Sequence, residues 1–339
     1  MTSRIFFNLL FSLSISGTLL FGFWILFHFI FKKKFSKRFQ YYLLLIITAR
    51  FLIPITADNS LMAWLYSYIT STTLYDKIFG LPISDYGNSS IIISKNTIIG
   101  DNVILGSPNP FGHYVFIIWL LFFVIFFIQK ITKYHSFIKY IRANWIPVDT
   151  PATLDLLSCI CEKKNVSTVI ELYTNPLVSS PLLFGIRKSY IVLPDENLSE
   201  EQLYNILIHE VSHYKNKDLL FKWLVQILVS IHWFNPIVYY LEKVVNDECE
   251  YACDESAIHN LTGQQRHEYG NTLITMIKQT GNYNERVASV TLYENTKQIK
   301  NRLTAILDSN THKLSNKILL CLIILLFIFL AIYIGVYYQ

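Results

Sequence analysis

Apolar residues in this chain come in blocks. Ile5 to Phe31 contains no Lys, Arg, Asp or Glu and is long enough for a helix that crosses a hydrocarbon core of about 30 Å. Tyr114 to Ile128 with its flanks, and Ile318 to Tyr338, read the same way. Tyr41 to Ile55 is shorter and carries Arg50, a residue expected to snorkel or pair inside a bundle rather than mark a transport path. Four spans are therefore expected. A further block, Leu219 to Leu241, is interrupted by Lys222, Gln226, His232 and Asn235, with Pro236 breaking the helical pattern. It reads as two helices broken near Asn235-Pro236, packed as a hairpin or dipping into the interface.

Between the third and fourth spans the pattern changes. Ala152 to Lys164 reads as a helix, and Val166 to Tyr173 and Ser189 to Leu193, rich in Val, Ile and Tyr, read as strands. Gly185 to Ser189 reads as the turn that links Pro181–Phe184 to the second strand. Ser199 followed by Gln202 forms a capping box, and Leu203, Ile206, Leu207, Ile208 and Val211 continue it as a helix with one apolar stripe. In the long segment before the third span, Ile91–Lys95 and Thr97–Ile104 alternate enough for a small hairpin around Asn96. A sensing role and a structural cover are both open for that segment.

Basic residues set the expected orientation. Lys32, Lys33, Lys34, Lys37 and Arg38 follow the first span, Lys130, Lys133, Lys139 and Arg142 the third, and Lys313 and Lys317 precede the last. Residues 57–112 hold only Lys77 and Lys95. All basic clusters fit on the cytoplasmic face with both termini outside. A cleaved signal peptide is disfavoured, because the cationic run follows the apolar stretch. The expected division is 1–56 as two spans with a cationic loop, 57–112 as an extracellular loop, 113–129 as the third span, 130–316 as a cytoplasmic domain and 317–339 as the fourth span.

Composition agrees. Hydrophobic residues make up 52% of the chain, aromatics 15% and charged residues 16%, with mean hydropathy +0.35, values that argue against an ordinary soluble protein. The net charge of +5 resides mostly in the basic flanks, which suit anionic lipid headgroups, and is no nucleic-acid footprint. Five cysteines give no disulfide framework. Cys159, Cys161, Cys249 and Cys253 fall in the expected cytoplasmic part and Cys321 in a span. Cys249 and Cys253 could bind a metal from one helix face, although small packing residues beside Glu250 are the preferred reading.

The chemistry lies in His209-Glu210-Val211-Ser212-His213. Four residues apart on a helix, both imidazoles can aim at one divalent ion, while Glu210 can take a proton from a water that the ion activates. Chance pairing of two histidines is the competing reading, and the expected helix lowers it. A third ligand should come from downstream. Glu250 and Asp254 are again four apart; Glu250 is assigned as ligand and Asp254 as the acceptor that orients a histidine. Glu248 is the rival ligand, and a solvated acidic helix face is the alternative for the whole cluster.

The run from His209 to Asp218, then Trp233-Phe234-Asn235-Pro236, then Glu250 to Asp254, with Ser180-Pro181, Gly185 and Ile191 to Pro194 upstream, resembles the BlaR/MecR-type antirepressor membrane metallopeptidases. The resemblance extends over nearly the whole chain, and its motifs are specific in combination. It implies a multi-pass α-helical membrane protein with a cytoplasmic α+β zincin-like (gluzincin) metallopeptidase domain, in which a small sheet precedes the active-site helix. It implies Zn2+ on His209, His213 and Glu250, with Glu210 as general base. Asp218 is a further family position, expected to hold the helix and loop. Asp218, His259, His267 and Tyr269 are carried as residues with a structural or oxyanion role, structural being preferred.

Sensor receptors of that family carry an extracellular penicillin-binding domain after the last span. The sequence reaches Gln339 soon after that span, so β-lactam sensing through such a domain is not expected. Family members are activated by cleavage within the protease, which makes Ser289 to Arg302 a candidate exposed site. The leading function is signal-dependent proteolysis of a cytoplasmic winged-helix repressor, as in regulation of antibiotic resistance. Partners would be that protein and the lipid bilayer, with no direct nucleic acid and a homodimer allowed. An HtpX-like quality-control protease and a non-proteolytic, zinc-containing membrane transducer remain open.

Overall fold

A computed structural model describes residues 3–57, 60–70, 110–195, 197–280, 296–308 and 316–337. The expected hairpin at 91–104 lies outside them. In chain order the helices are α1 (Ser3–Phe31), α2 (Lys37–Leu52), α3 (Leu61–Thr70) and α4 (Pro110–Ala143). Next come β1 (Ile146–Pro147), α5 (Pro151–Lys163), β2 (Ile170–Asn175), β3 (Leu182–Phe184) and β4 (Ser189–Pro194). The chain continues with α6 (Glu200–Asn216), α7 (Asp218–Ile231), α8 (Pro236–Ile258), α9 (Gly263–Thr280), α10 (Thr296–Leu307) and α11 (Lys317–Ile334).

Three described helices are long and apolar enough to cross a bilayer: Ile5–Phe31 in α1, His113–Ala143 in α4, and α11. The expected second span corresponds to α2, which has 16 residues and a length of about 24 Å, short of a full hydrocarbon core. Its weak hydropathy has a packing reason. Tyr41, Leu43, Leu44, Ile47 and Phe51 are buried against α1, α7, α8 and α11, so α2 faces protein on most sides. Arg50 is buried in that setting. It donates to the Ile53 and Ile55 carbonyls and to Gly335 O, tying the end of α2 to the chain after α11.

The Leu219–Leu241 block is two helices, as its sequence suggests. α7 ends at Ile231 and α8 starts at Pro236, where a missing N–H costs nothing at a helix N-terminus. Asn235 caps α8 by accepting from Ile237 N, while its amide donates to Ser14 Oγ at 2.8 Å and Thr18 Oγ1 at 3.1 Å in the middle of α1. His232 Nε2 meets Phe51 O at 3.1 Å, and Trp119 of α4 donates to Ile231 O. Much of the polar tip that makes single crossing costly is thus paired with polar atoms of the neighbouring helices, while His232 Nδ1 and Trp233 Nε1 are buried with no partner among the described residues. α7 and the first half of α8, inside the segment expected as the peptidase, share one hydrophobic cluster with α1, α2 and α11.

The sheet has the order β1-β2-β4-β3, with β2 and β4 parallel and β3 antiparallel to β4. Gly185, at φ +95°, makes the β3–β4 turn; a Cβ there would lie 2.1 Å from Lys188 O. Ile170, Leu172, Ile191 and Leu193 face a core shared with α5, α6, α9 and α10, whereas Val192 and Phe184 pack on Ile141 of α4. β3 is an edge strand, like β1, and packs beside α6. α4 runs unbroken past the boundary expected at Lys130 and reaches this sheet.

Asn235→Ala removes a helix cap and two half-buried side-chain bonds. It should destabilise the protein by about 2–3 kcal/mol, read as a lower thermal midpoint of the purified full-length chain. An unchanged midpoint would argue against a hairpin anchored on α1.

Candidate metal centre

α6 forms for local reasons. Ser199 Oγ accepts from Gln202 N and the Gln202 side chain accepts from Ser199 N, while Ile206, Leu207, Ile208 and Val211 are buried on the sheet side. His209 and His213 lie one turn apart, both buried, and the helix ends at Lys217 in a left-handed conformation (φ 59°). That reversal starts α7 at Asp218 and turns its carboxylate back onto His213.

Glu250 arrives on α8. Its Oε2 lies 3.4 Å from His209 Nε2 and 3.6 Å from His213 Nε2, and the two Nε2 atoms are 3.1 Å apart. Donors around a tetrahedral zinc, at about 2.0–2.2 Å from the ion, sit roughly 3.3–3.5 Å from one another. The three atoms therefore fit a single divalent ion with one side open. Glu210 lines the same cleft, which has a volume of about 240 Å³. The rival carboxylate, Glu248, faces away: it pairs with Lys37 of α2 at 3.3 Å.

Each histidine is held from behind. His213 Nδ1 donates to Asp218 Oδ2 at 2.8 Å, and Asp218 Oδ1 accepts from Tyr41 of α2 at 2.9 Å. The Tyr269 hydroxyl donates to Asp254 Oδ1 at 2.8 Å, so its oxygen accepts from His209 Nδ1 at 2.9 Å, and Asp254 itself lies 3.3 Å from that nitrogen. Arg302 of α10 grips Asp254 with Nε to Oδ2 and Nη2 to Oδ1, both at 2.7 Å. These contacts place the protons on both Nδ1 atoms and leave the Nε2 lone pairs for a metal.

The expected Asp254 position behind a histidine matches this arrangement, and Asp218 does more than hold a loop. Tyr269 is behind His209, on the side away from Nε2, and so is misplaced for an oxyanion donor. His259 and His267 are exposed; His259 bonds Asn260, and neither lines the cleft. They are not brought to the site. Sequence reasoning missed Arg302, Tyr41 and Lys222, whose Nζ lies 3.6 Å from Glu250 Oε1. An arginine and a tyrosine on distant helices carry no local spacing signal. Arg302, read as part of an exposed candidate cleavage region, is buried on α10; residues 289–295 of that region lie outside the described residues.

Cys249 and Cys253 are buried beside this centre, as packing residues would be, yet they make polar contacts. Cys253 Sγ donates to Asp218 Oδ2 at 3.1 Å and lies 3.2 Å from His213 Nδ1; Cys249 Sγ lies 3.7 Å from that nitrogen. The two thiols, Asp218 and His213 Nδ1 form a second set of potential ligands. It is sealed inside the fold and uses the proton-bearing nitrogen, whereas the Nε2–Nε2–carboxylate set opens on the cleft.

Burial disfavours the imidazolium forms, but the surrounding carboxylates outweigh it. Asp254 and Glu250 raise His209 to about 9, and Glu250 and Asp218 push His213 up as well. Against their own burial, Glu250 is held well below the usual carboxylate range by the two histidines, and Asp254 by Arg302. A cation entering the site has to displace protons. Metal affinity should consequently increase as pH rises toward about 9, with protons released into the buffer; calorimetry in buffers of different ionisation enthalpy measures them, and a pH-independent affinity would contradict the assignment. Asp218→Asn and Asp254→Asn should each weaken metal binding by about 10–100-fold in competition with a chromophoric chelator.

A family model described as BlaR1 peptidase M56 matches residues 8–306. The chain is 29% identical over 201 residues to Regulatory protein BlaR1 of Bacillus licheniformis, spanning 58% of this chain and 33% of that protein. It is 30% identical over 145 residues to the Methicillin resistance mecR1 protein of Staphylococcus aureus, spanning 41% and 25% respectively. The matched regions thus cover a quarter to a third of those relatives. With motif, geometry and a match along most of its length in agreement, the chain belongs to the BlaR1 peptidase M56 family.

Proposed function

We propose that the chain is a membrane-embedded zinc endopeptidase that cuts a cytoplasmic protein when a signal arrives. The observation that carries this reading is the set of three donor atoms within 3.6 Å of one another, beside Glu210 and open to a cleft. His209, His213 and Glu250 hold the ion, which supplies Lewis acidity toward water and a peptide carbonyl. Glu210 accepts a proton from the attacking water and delivers it to the leaving amine. Leu182, Leu183 and Phe184 of the edge strand β3 line the cleft, so an extended substrate can pair with that strand while its scissile bond faces Glu210.

The name of one relative speaks of regulation and that of another of methicillin resistance, in keeping with a regulatory role; the proposed substrate is a transcriptional repressor. With α2 crossing as a short fourth span enclosed by the bundle, beside α1, α4 and α11, the basic flanks favour a cleft on the cytoplasmic side.

Glu210→Gln should retain metal and lose cleavage by about 10²–10⁴-fold. Mass-spectrometric mapping of new cytoplasmic N-termini in cells with the wild-type or the variant chain measures both the loss and the substrate. Identical N-termini in the two would remove the proposed base.

A further inference from the structure

A cavity of about 770 Å³ lies on the other side of α6 from the metal centre, between the start of α2, the end of α5 and the end of α8. Arg38, Lys163, Lys164 and Lys215 line it, together with one carboxylate, Glu255, which accepts from the Arg38 backbone N–H at 3.0 Å. The lysines are positioned by their neighbours: Lys164 Nζ donates to Ser256 O at 2.8 Å, and Lys163 Nζ to the Tyr204 hydroxyl at 3.0 Å. The Nε of Arg38 is withdrawn from solvent and has no acceptor among the described residues.

Four cations around one carboxylate repel one another unless an anion joins them. The effect is visible at Lys164, where burial and the neighbouring Lys215, Arg38 and Lys163 lower the ammonium to about 8. The volume suits a small-molecule headgroup rather than a lone ion. Phe39 and Tyr42 line one wall, and the cavity sits at the foot of α2 next to the Lys32–Lys34 run, where a cytoplasmic lipid headgroup would lie.

We propose that this cavity is a binding site for a phosphate-ester anion, held by Arg38, Lys164 and Lys215. A phospholipid headgroup and a soluble phosphate compound share that chemistry. The position at the foot of α2 is within reach of the first, and the volume of about 770 Å³ admits the second. Neither depends on the metal centre or on proteolysis.

The test uses the full chain in phosphatidylcholine nanodiscs titrated with inorganic phosphate, and in nanodiscs that also contain phosphatidylglycerol, with retained lipid counted by native mass spectrometry. Saturable occupancy is expected in at least one arm, weakened about tenfold or more by the double variant Lys164→Gln/Lys215→Gln. Phosphatidylglycerol retained against phosphate assigns the lipid source, and phosphate binding without lipid retention assigns the soluble one. Lys215→Gln alone, at an exposed position, keeps the test readable if the double variant folds poorly. No saturable binding in either arm, or equal affinity in wild type and Lys215→Gln, overturns the proposal.

Discussion

The structure depends on one meeting of side chains from two helices. The two imidazoles on α6 and the Glu250 carboxylate on α8 come within 3.6 Å of each other. Between them the chain runs out along α7 and returns along α8, so the break at Asn235-Pro236 is as necessary to the site as the histidines. A single continuous helix from Asp218 to Ile258 would carry Glu250 tens of ångströms away, at 1.5 Å per residue. The hairpin is stabilised where it turns, by Ser14 and Thr18 on α1 and by the Phe51 carbonyl at the end of α2. Polar atoms that would be costly to bury alone are paired with polar atoms in otherwise apolar helices.

This arrangement makes the bundle and the candidate metal centre one mechanical unit. Tyr41 of α2 donates to Asp218, and Asp218 orients His213. On the opposite side, Arg302 of α10 fixes Asp254, which orients His209 directly and through Tyr269. Each histidine thus answers to a different helix outside α6. A shift of α2 changes the support of one ligand, and a shift of α10 changes that of the other. Because α2 is enclosed by α1, α7, α8 and α11, any displacement of those helices has a short physical route to His213.

Parts of the site were legible because their signals are local. The H-E-x-x-H spacing places two imidazoles on one face whatever surrounds the helix, and Ser199 with Gln202 marks where that helix starts. Glu250 and Asp254 share a face for the same reason. The choice between Glu250 and Glu248 rested on periodicity and resemblance; the structure separates them, since Glu248 faces Lys37 of α2. His259 and His267 illustrate the converse: the residue type suits catalysis, but His259 at the end of α8 and His267 on α9 are both exposed.

By itself the sequence indicated three blocks fit for a bilayer, the break at Asn235-Pro236, the helix that carries the H-E-x-x-H run and the chemical character of the candidate centre, since these follow from short-range spacing and composition. Tertiary structure alone decided which distant groups hold the ligands, namely Tyr41, Arg302 and Tyr269. It also decided that α2 is an enclosed companion of the bundle, and that the thiols of Cys249 and Cys253 lie against Asp218 and His213. The physical reason is that hydrogen bonds between remote helices depend on how those helices pack, and packing is a property of the whole hydrophobic cluster rather than of any window along the chain.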